Sequence, residues 1–266
     1  MRDYDCLDVT EGDDVLEVAI DRPDSLNAVN AALHEELSQV FRDAYHADAR
    51  VVVLTGNGKA FSAGGDVGWM RESIENPETF RETMREGETI IKDITDLEKP
   101  LVAKVNGDAT GLGATLALFA DITVMAESAR IGDPHVSVGL VAGDGGAVIW
   151  PLLTSMHTAK EMLMTGDLVD AAEAERMGLA NYAVPEGELD AKVEELTGKL
   201  ANGPQAAIRY TKKALNSWVE LGNDLALQRG LSLEAVSQQH PDHDEAVDAF
   251  LNERRPEFPS ASDDDD

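Results

Sequence analysis

Two continuous apolar runs, each leading through a glycine-rich loop into a helix-forming segment, constrain the fold of this 266-residue chain more than any other feature. The first run is RVVVLTG (residues 50–56), which leads into GNGKAFSAGGD. The second is PLVAKVNG (residues 100–107), which leads into DATGLG. Short runs that are apolar on both faces are typical of buried parallel strands. The repeated order of strand, loop and helix therefore predicts an α/β fold.

The flanking segments continue this pattern. VLEVAI (residues 15–20) alternates in polarity and predicts another strand, which Pro23 ends. Ser25 or Asn27 is the expected N-cap of the helix that follows. We expect three parts along the chain: a core over residues 1–200, a C-terminal helical region over 201–258 and a flexible acidic tail over 259–266.

The charge of the chain excludes two classes of partner. Asp and Glu number 51 against 22 Lys and Arg, which gives a net charge of −29. Such a surface repels nucleic acid and anionic membranes. The hydrophobic content of 43% and the regular apolar segments argue against disorder. We therefore expect a folded, halophile-type protein that requires molar KCl to screen the repulsion between its own charges.

The expected location is the cytoplasm. No run of about 18 apolar residues is present, so no membrane span is predicted. The acidic, polar N-terminus does not resemble a secretory signal. A single cysteine, Cys6, excludes an internal disulfide framework.

The two glycine loops, AFSAGGD (60–66) and GDATGLG (107–113), have a chemical interpretation. Where a strand turns into a helix, free backbone N–H groups and the positive end of the helix dipole point outward. Two such loops on neighbouring strands can direct two N–H groups at one oxygen, which forms an oxyanion hole. The alternative, that both loops are only tight turns, has equal weight on spacing alone.

The motifs RPDSLNAV, VVLTGNGKAFSAGGDV, KPLVAKVNGDATGLGATLALFADI and GLVAGDGGAVIWPLL resemble those of the crotonase superfamily, the enoyl-CoA hydratase/isomerase family, over about residues 10–258. The resemblance implies a crotonase-type spiral of ββα turns with a C-terminal helical region. It implies homotrimers or dimers of trimers. It also implies an acyl-CoA thioester as substrate, with coenzyme A as part of that substrate and no separate cofactor or metal.

The resemblance also implies roles for particular residues. The backbone amides of Gly65 and Leu112 fall at the oxyanion-hole positions of the family. The residues that fall at coenzyme A-binding positions are Ala28, Ala63, Gly64, Gly65, Asp66, Val67, Gly68, Phe250 and Arg254. In the family, the C-terminal helix that contains the last two often acts across a subunit boundary.

The catalytic positions of the family are where this chain departs from it. Hydratases of the family use two glutamates on a shared water, and the corresponding positions here are Thr115 and His135. Asp144 is the lone carboxylate in the apolar, glycine-rich stretch VGLVAGDGGAVIW. It is either a turn or N-cap residue, a general acid/base, or a nucleophile. Acid/base chemistry is the preferred interpretation of Asp144.

His135 is either a structural histidine or a proton carrier beside Asp144. Trp69 and Met70 are interpreted as core residues, and His240-Pro-Asp-His243 as a solvated turn rather than a metal site. The expected activity is enolate chemistry of the enoyl-CoA hydratase/isomerase type. The alternatives are a non-catalytic acyl-CoA-binding protein, or a hydrolase or decarboxylase that uses the same site.

Overall fold

A computed structural model describes residues 2–261 of the chain. Its strands are β1 (Leu7–Glu11), β2 (Val15–Ile20), β3 (Val51–Gly56), β4 (Leu101–Val105), β5 (Ala109–Thr110), β6 (Ile122–Ala126), β7 (Arg130–Gly132), β8 (Leu168–Asp170) and β9 (Tyr182–Val184). The larger sheet has the order β1-β2-β3-β4-β6-β9, and every neighbouring pair except β1 with β2 is parallel. The predicted α/β fold is confirmed.

Helices surround this sheet, and the last of them follow β9 in the C-terminal part of the chain. They are α1 (Ala31–His46), α2 (Val67–Glu75), α3 (Pro77–Asp96), α4 (Leu112–Leu118), α5 (Gly146–Leu153), α6 (Met156–Thr165), α7 (Ala171–Met177), α8 (Leu189–Ala201), α9 (Gln205–Gly222), α10 (Gln228–Gln238) and α11 (Pro241–Leu251). A π-helical segment, Asn223–Leu227, joins α9 to α10. The C-terminal region that was expected to be helical contains α9, the π-helical segment, α10 and α11.

The core follows from the apolar runs. All six residues of β3 are buried, as expected for a strand that is covered on both faces. Phe41 from α1 and Trp150 from α5 are among the largest fully buried side chains. Burial of a large apolar side chain stabilises a fold by roughly 1.5–3 kcal/mol, so these residues anchor helices to the sheet.

The start of α1 differs from the prediction. Asn30 is the N-cap, and its side chain accepts a hydrogen bond from the Leu33 N–H. Asn27 is fully buried instead, with a φ of 57°. Its side-chain amide donates to the carbonyl oxygens of Asn57 and Ala60, 2.9 and 2.8 Å away. Asn27 therefore ties the N-terminal turn to the first glycine loop, a long-range role that local spacing does not reveal.

The chain end is described only in part. Residues 259–261 of the expected flexible tail form a 3-10 turn, in which the Ser260 N–H donates to Asp242 Oδ1 at 3.0 Å. Residues 262–266, the acidic part of that tail, lie outside the described residues.

A second, three-stranded sheet positions the functional loops. It has the order β5-β7-β8, with β5 parallel to β7 and Thr110 opposite Gly132. The Gly111 N–H continues this pairing by donating to the Gly132 carbonyl at 3.1 Å. Because β5 also bridges to Ser62, both glycine loops and the segment after Gly132 meet at one place.

Candidate active site

An open groove of about 630 Å³ runs beside the first glycine loop. All nine residues expected to bind coenzyme A line it: Ala28, Ala63, Gly64, Gly65, Asp66, Val67, Gly68, Phe250 and Arg254. The sequence therefore selected residues from three distant segments that the fold brings to one surface. Phe250 belongs to α11 and Arg254 follows that helix, so the C-terminal helix covers the groove of its own chain.

The charge in this groove is low. Arg254 is its one lining cation besides His135, and the Arg254 guanidinium contacts Glu245 Oε2 at 2.7 Å and Asp248 Oδ2 at 2.8 Å. Asp66 also lines the groove, 3.8 Å from Arg22. The positive charge available to a phosphate is therefore already shared with carboxylates.

The two glycine loops present free donors. Among the hydrogen bonds of residues 2–261, none is donated by the Gly65 N–H or by the Leu112 N–H. Leu112 is the first residue of α4, where a helix leaves its N–H groups unpaired. The loops are in close contact, since a Cβ built on Gly111 would lie 3.6 Å from the Gly64 Cα. Gly65 and Leu112 line a common chamber.

This inner chamber of about 90 Å³ adjoins the groove, and Gly65, Met70 and His135 line both. Its wall is mostly apolar, with contributions from α1, α2, α3, α10 and the loop before α5. The lining residues that carry titratable groups are His34, His135, Asp144, Glu234 and His243. A ligand that extends from the groove into the chamber therefore passes the Gly65 amide and reaches ionisable side chains.

A cluster of Asp133, His135 and Asp144 stands at the junction. The buried Asp133 carboxylate contacts His135 Nδ1, and His135 Nε2 lies 3.6 Å from Asp144 Oδ2. A Cβ built on Gly111 would lie 3.7 Å from His135 Cε1, so the imidazole is adjacent to the second glycine loop. Asp133 fixes the ring orientation, and the other ring nitrogen faces Asp144.

Burial and mutual charge set the protonation of this cluster. Burial lowers the pKa of His135, but the Asp133 and Asp144 carboxylates outweigh it and hold that pKa well above its usual value. Burial raises the pKa of Asp144, and the His135 charge partly offsets this effect. The two carboxylates therefore favour the protonated form of His135, and Asp144 binds a proton more readily than an exposed aspartate does.

Asp144 lies in the turn over residues 143–145, and the structure contradicts only the N-cap interpretation. The N-cap of α5 is Gly145, without a side-chain cap hydrogen bond, and Asp144 Oδ1 has no partner in the described part of the chain. Asp144 is 8% exposed and lines the chamber. His135 is likewise not a surface histidine, since its side chain is 13% exposed between two carboxylates.

Glu234 is the functional candidate that sequence reasoning missed. It lies on α10, is 6% exposed, and its Oε2 has no hydrogen-bond partner among residues 2–261. Burial raises the pKa of Glu234 to about 8, and the nearby Asp144 charge adds to this effect. The sequence did contain a signal for this role. Glu234 is a charged residue on the same face of α10 as Leu231 and Gln238, and all three are buried.

Other side chains differ from expectation in the same region. Trp69 and Met70 line the chamber, so the core interpretation is incomplete. His243 is buried rather than in a solvated turn, with its Nδ1 2.6 Å from the Val138 carbonyl, and burial lowers its pKa. Thr115 is fully buried and packs its methyl group against Gly145. No carboxyl group is present at either position of the hydratase glutamate pair.

Among residues 2–261, the side chains of this cluster are also of the kinds that can bind a metal ion, and they lie close enough together to share one. One donor atom each from Asp133, His135 and Asp144 lie within 4.8 Å of one another. The attraction of an imidazolium to two carboxylates accounts for this distance, and His135 Nδ1 is already engaged by Asp133. The arrangement has the distances of an ion-paired acid/base cluster.

Known proteins share this architecture. Residues 10–261 match the family described as enoyl-CoA hydratase/isomerase. The chain belongs to the enoyl-CoA hydratase/isomerase family. A probable enoyl-CoA hydratase of Rhodobacter capsulatus is 37% identical over 256 residues, which cover 94% of this chain and 96% of the relative.

Two solved structures extend the comparison. An enoyl-CoA hydratase/isomerase from Mycobacterium paratuberculosis superposes with a TM-score of 0.90 at 37% identity, covering 93% of this chain and 99% of that one. A β-diketone hydrolase from Anabaena, bound to (S)-3-oxocyclohexyl acetic acid, gives a TM-score of 0.82 at 29% identity, covering 89% and 95%. This family member is thus an enzyme of the hydratase/isomerase type that processes acyl-CoA compounds. Over residues 2–261, none of its helices combines the length and apolarity that a bilayer crossing requires.

Proposed function

We propose that this enzyme transfers protons at the carbons next to the thioester of an enoyl-CoA, as in hydration or double-bond isomerisation. The observation that carries the proposal is the Asp133–His135–Asp144 cluster, which adjoins a chamber that also holds the free amides of Gly65 and Leu112. The acyl group would occupy the chamber and the coenzyme A portion the groove.

The chemistry follows from this placement. The Gly65 and Leu112 N–H groups donate hydrogen bonds to the thioester oxygen and stabilise the negative charge that develops on it in the enolate. Asp144 accepts and returns the proton at the substrate. The His135 imidazolium, oriented by Asp133, favours the charged form of Asp144 and keeps its carboxylate available as a base.

The test uses purified protein in high KCl and D2O, with saturated and α,β-unsaturated acyl-CoAs, and follows product mass. We expect deuterium at carbon with unsaturated substrates, with added water if the enzyme hydrates them and without it if it isomerises them. Binding without any mass change on the whole panel would contradict the proposal and favour the non-catalytic acyl-CoA-binding alternative.

Hydrolysis is the second candidate, and the likeness to the β-diketone hydrolase favours it. A water oxygen would bond to a carbonyl carbon of a β-dicarbonyl compound, the adjacent C–C bond would break, and the enolate held by the same amides would receive a proton. Product analysis separates the two candidates, because hydrolysis yields two fragments or an opened ring with a new carboxylate.

Salt should strengthen substrate binding by this chain. Coenzyme A is a polyanion, the chain carries a net charge of −29, and Arg254 in the groove is shared with two carboxylates. Because the Debye length falls from about 10 Å at 0.1 M to about 3 Å at 1 M, we expect the KM for an acyl-CoA to fall several-fold over that range of KCl. Initial rates at each concentration, with circular dichroism as the control for folding, measure this effect. A KM that rises with KCl would contradict the proposed low positive charge of the groove.

We further propose a homotrimer or a dimer of trimers. Large apolar side chains are exposed on α5, α6 and α9, which pack on one another: Leu152, Met156, Met164, Tyr210 and Trp218. Such a set on an otherwise acidic surface is typical of a protein interface. Light scattering in high KCl should give three or six times the 28.6 kDa mass of the chain, and a monomer would contradict this proposal.

A further inference from the structure

Glu234 is a buried carboxyl group that faces the cluster from a different part of the fold. It lines the inner chamber together with His135 and Asp144, although it lies on α10, in the C-terminal helical region. A buried polar group is normally hydrogen-bonded, and its Oε2 has no such bond in residues 2–261. An unpaired carboxyl oxygen beside a second carboxyl group in a chamber is suited to proton exchange with a ligand.

The approach of α10 to the cluster depends on two glycines. A Cβ built on Gly143 would lie 2.5 Å from the Gly230 carbonyl oxygen and 2.6 Å from Glu234 Oε2. No residue larger than glycine fits at Gly143 without displacing the helix. The Val141 N–H also donates to Ser237 Oγ at 3.1 Å, which joins the Asp144 loop to the same helix. The fold therefore holds Glu234 close to the loop that carries Asp144.

We propose that Glu234 is the second carboxyl group of the acid/base pair and carries the proton that the substrate receives. This inference rests on the proposed function and assigns a partner to Asp144 in place of the missing glutamate pair. The pair is built from the loop before α5 and from α10, rather than from the positions of Thr115 and His135.

Hydration transfers one proton from water to Asp144 and one proton from Glu234 to the substrate. The Asp144 carboxylate accepts a proton from water as the water oxygen bonds to the β-carbon, and the electron pair of the double bond moves toward the thioester. The Glu234 carboxyl then donates its proton to the α-carbon. Asp144 is left protonated and Glu234 ionised, and transfer of one proton from Asp144 to Glu234 restores the starting state, so water alone is consumed.

The surroundings of Glu234 favour its neutral form. Burial in the chamber raises its pKa to about 8, and the carboxylates of Asp144 and Asp133 add to this effect. The His135 charge and a hydrogen bond from the Gly143 backbone oppose it. The other titratable groups that line the chamber are His34 on α1 and His243 on α11. Glu234 is therefore suited to the role of the acid, and Asp144, which the His135 charge helps to ionise, is suited to that of the base.

The kinetic test compares Glu234→Gln with Glu234→Asp in the D2O assay across pH 5–10. The Gln variant should lose roughly 100-fold or more in kcat with little change in KM, and the fall in activity above about pH 8 should disappear. The Asp variant should recover part of kcat. Glu82→Gln is the control, because it makes the same change at an exposed carboxyl group on α3 away from the chamber, and this variant should retain the alkaline limb. A Gln variant that keeps wild-type kcat and its alkaline limb would overturn the assignment.

A second measurement does not require activity. Because the native state holds the Glu234 proton up to about pH 8 while the unfolded state releases it near its ordinary pKa, the wild type loses stability as pH rises between these values. Glu234→Gln has no such loss, so its melting temperature relative to wild type should increase from pH 5 to pH 8. A difference that is constant over this range would overturn the proposal, even if the wild type turned over no acyl-CoA and the proposed function itself failed.

Discussion

Asp144→Asn will reduce kcat for deuterium incorporation or water addition by roughly 100- to 10,000-fold, the range that loss of a general acid/base produces. The amide matches the carboxylate in size but cannot accept the substrate proton. Since Asp144 lines the inner chamber and not the groove proposed to bind coenzyme A, we expect the Kd for a substrate analogue to change by less than about threefold. Stopped-flow rates and calorimetric binding in high KCl measure the two effects separately.

The matched control is Thr115→Val. Thr115 packs beneath the same loop against Gly145, and its Oγ1 has no hydrogen-bond partner among residues 2–261. Valine has the same shape, so removal of this hydroxyl should leave kcat and thermal stability close to wild type. If Asp144→Asn keeps at least a third of wild-type kcat, Asp144 is not the base, and His135 becomes the candidate.

His135 gives the pH dependence that accompanies this result. The Asp133 and Asp144 carboxylates keep its pKa raised in spite of burial, so the folded state retains the His135 proton at a pH where an exposed histidine has lost it. The stability that this ion-paired proton contributes is fully present below the usual histidine pKa and is lost as pH rises through the higher, folded-state value.

The sequence was informative about the site where function depends on local backbone geometry. The glycine loops that follow β3 and β4 were recognisable because buried parallel strands have a distinctive apolar pattern, and the loops are neighbours because those strands are. Membership of the family then extended this prediction to the nine groove residues.

The acid/base residues were harder to predict because they depend on long-range packing. Asp133 precedes a proline and has the local appearance of a turn residue, yet it is 1% exposed and holds His135. Glu234 comes to Asp144 only through the Gly143–Gly230 contact between a loop and a distant helix. Spacing along the chain does not reveal such contacts. A carboxyl group on the buried face of α10, however, is a residue type that does not suit its position, and such mismatches often mark functional positions.

Gly113→Ala tests the oxyanion hole through its backbone support. A Cβ at Gly113 would lie 2.6 Å from the Ser62 Cβ and 2.9 Å from the Ser62 carbonyl oxygen. Ser62 cannot easily move away, because its carbonyl accepts from the Thr110 N–H at 2.9 Å and its hydroxyl donates to the Asn27 carbonyl at 2.8 Å. The added methyl group must therefore separate the loop that carries Gly65 from the start of α4.

We expect this separation to lower kcat by roughly 100- to 1000-fold, as removal of one oxyanion donor does. Overpacking of this kind also costs about 1–3 kcal/mol of stability, so thermal melting must show that the variant is folded at the assay temperature. Gly198→Ala in α8 is the control: a Cβ there meets nothing within 4 Å, and a helical alanine should stabilise by roughly 0.5–1 kcal/mol without changing kcat. A folded Gly113→Ala variant with wild-type kcat would show that the amides of Gly65 and Leu112 do not act together, and the thioester oxygen would then require other donors in the chamber.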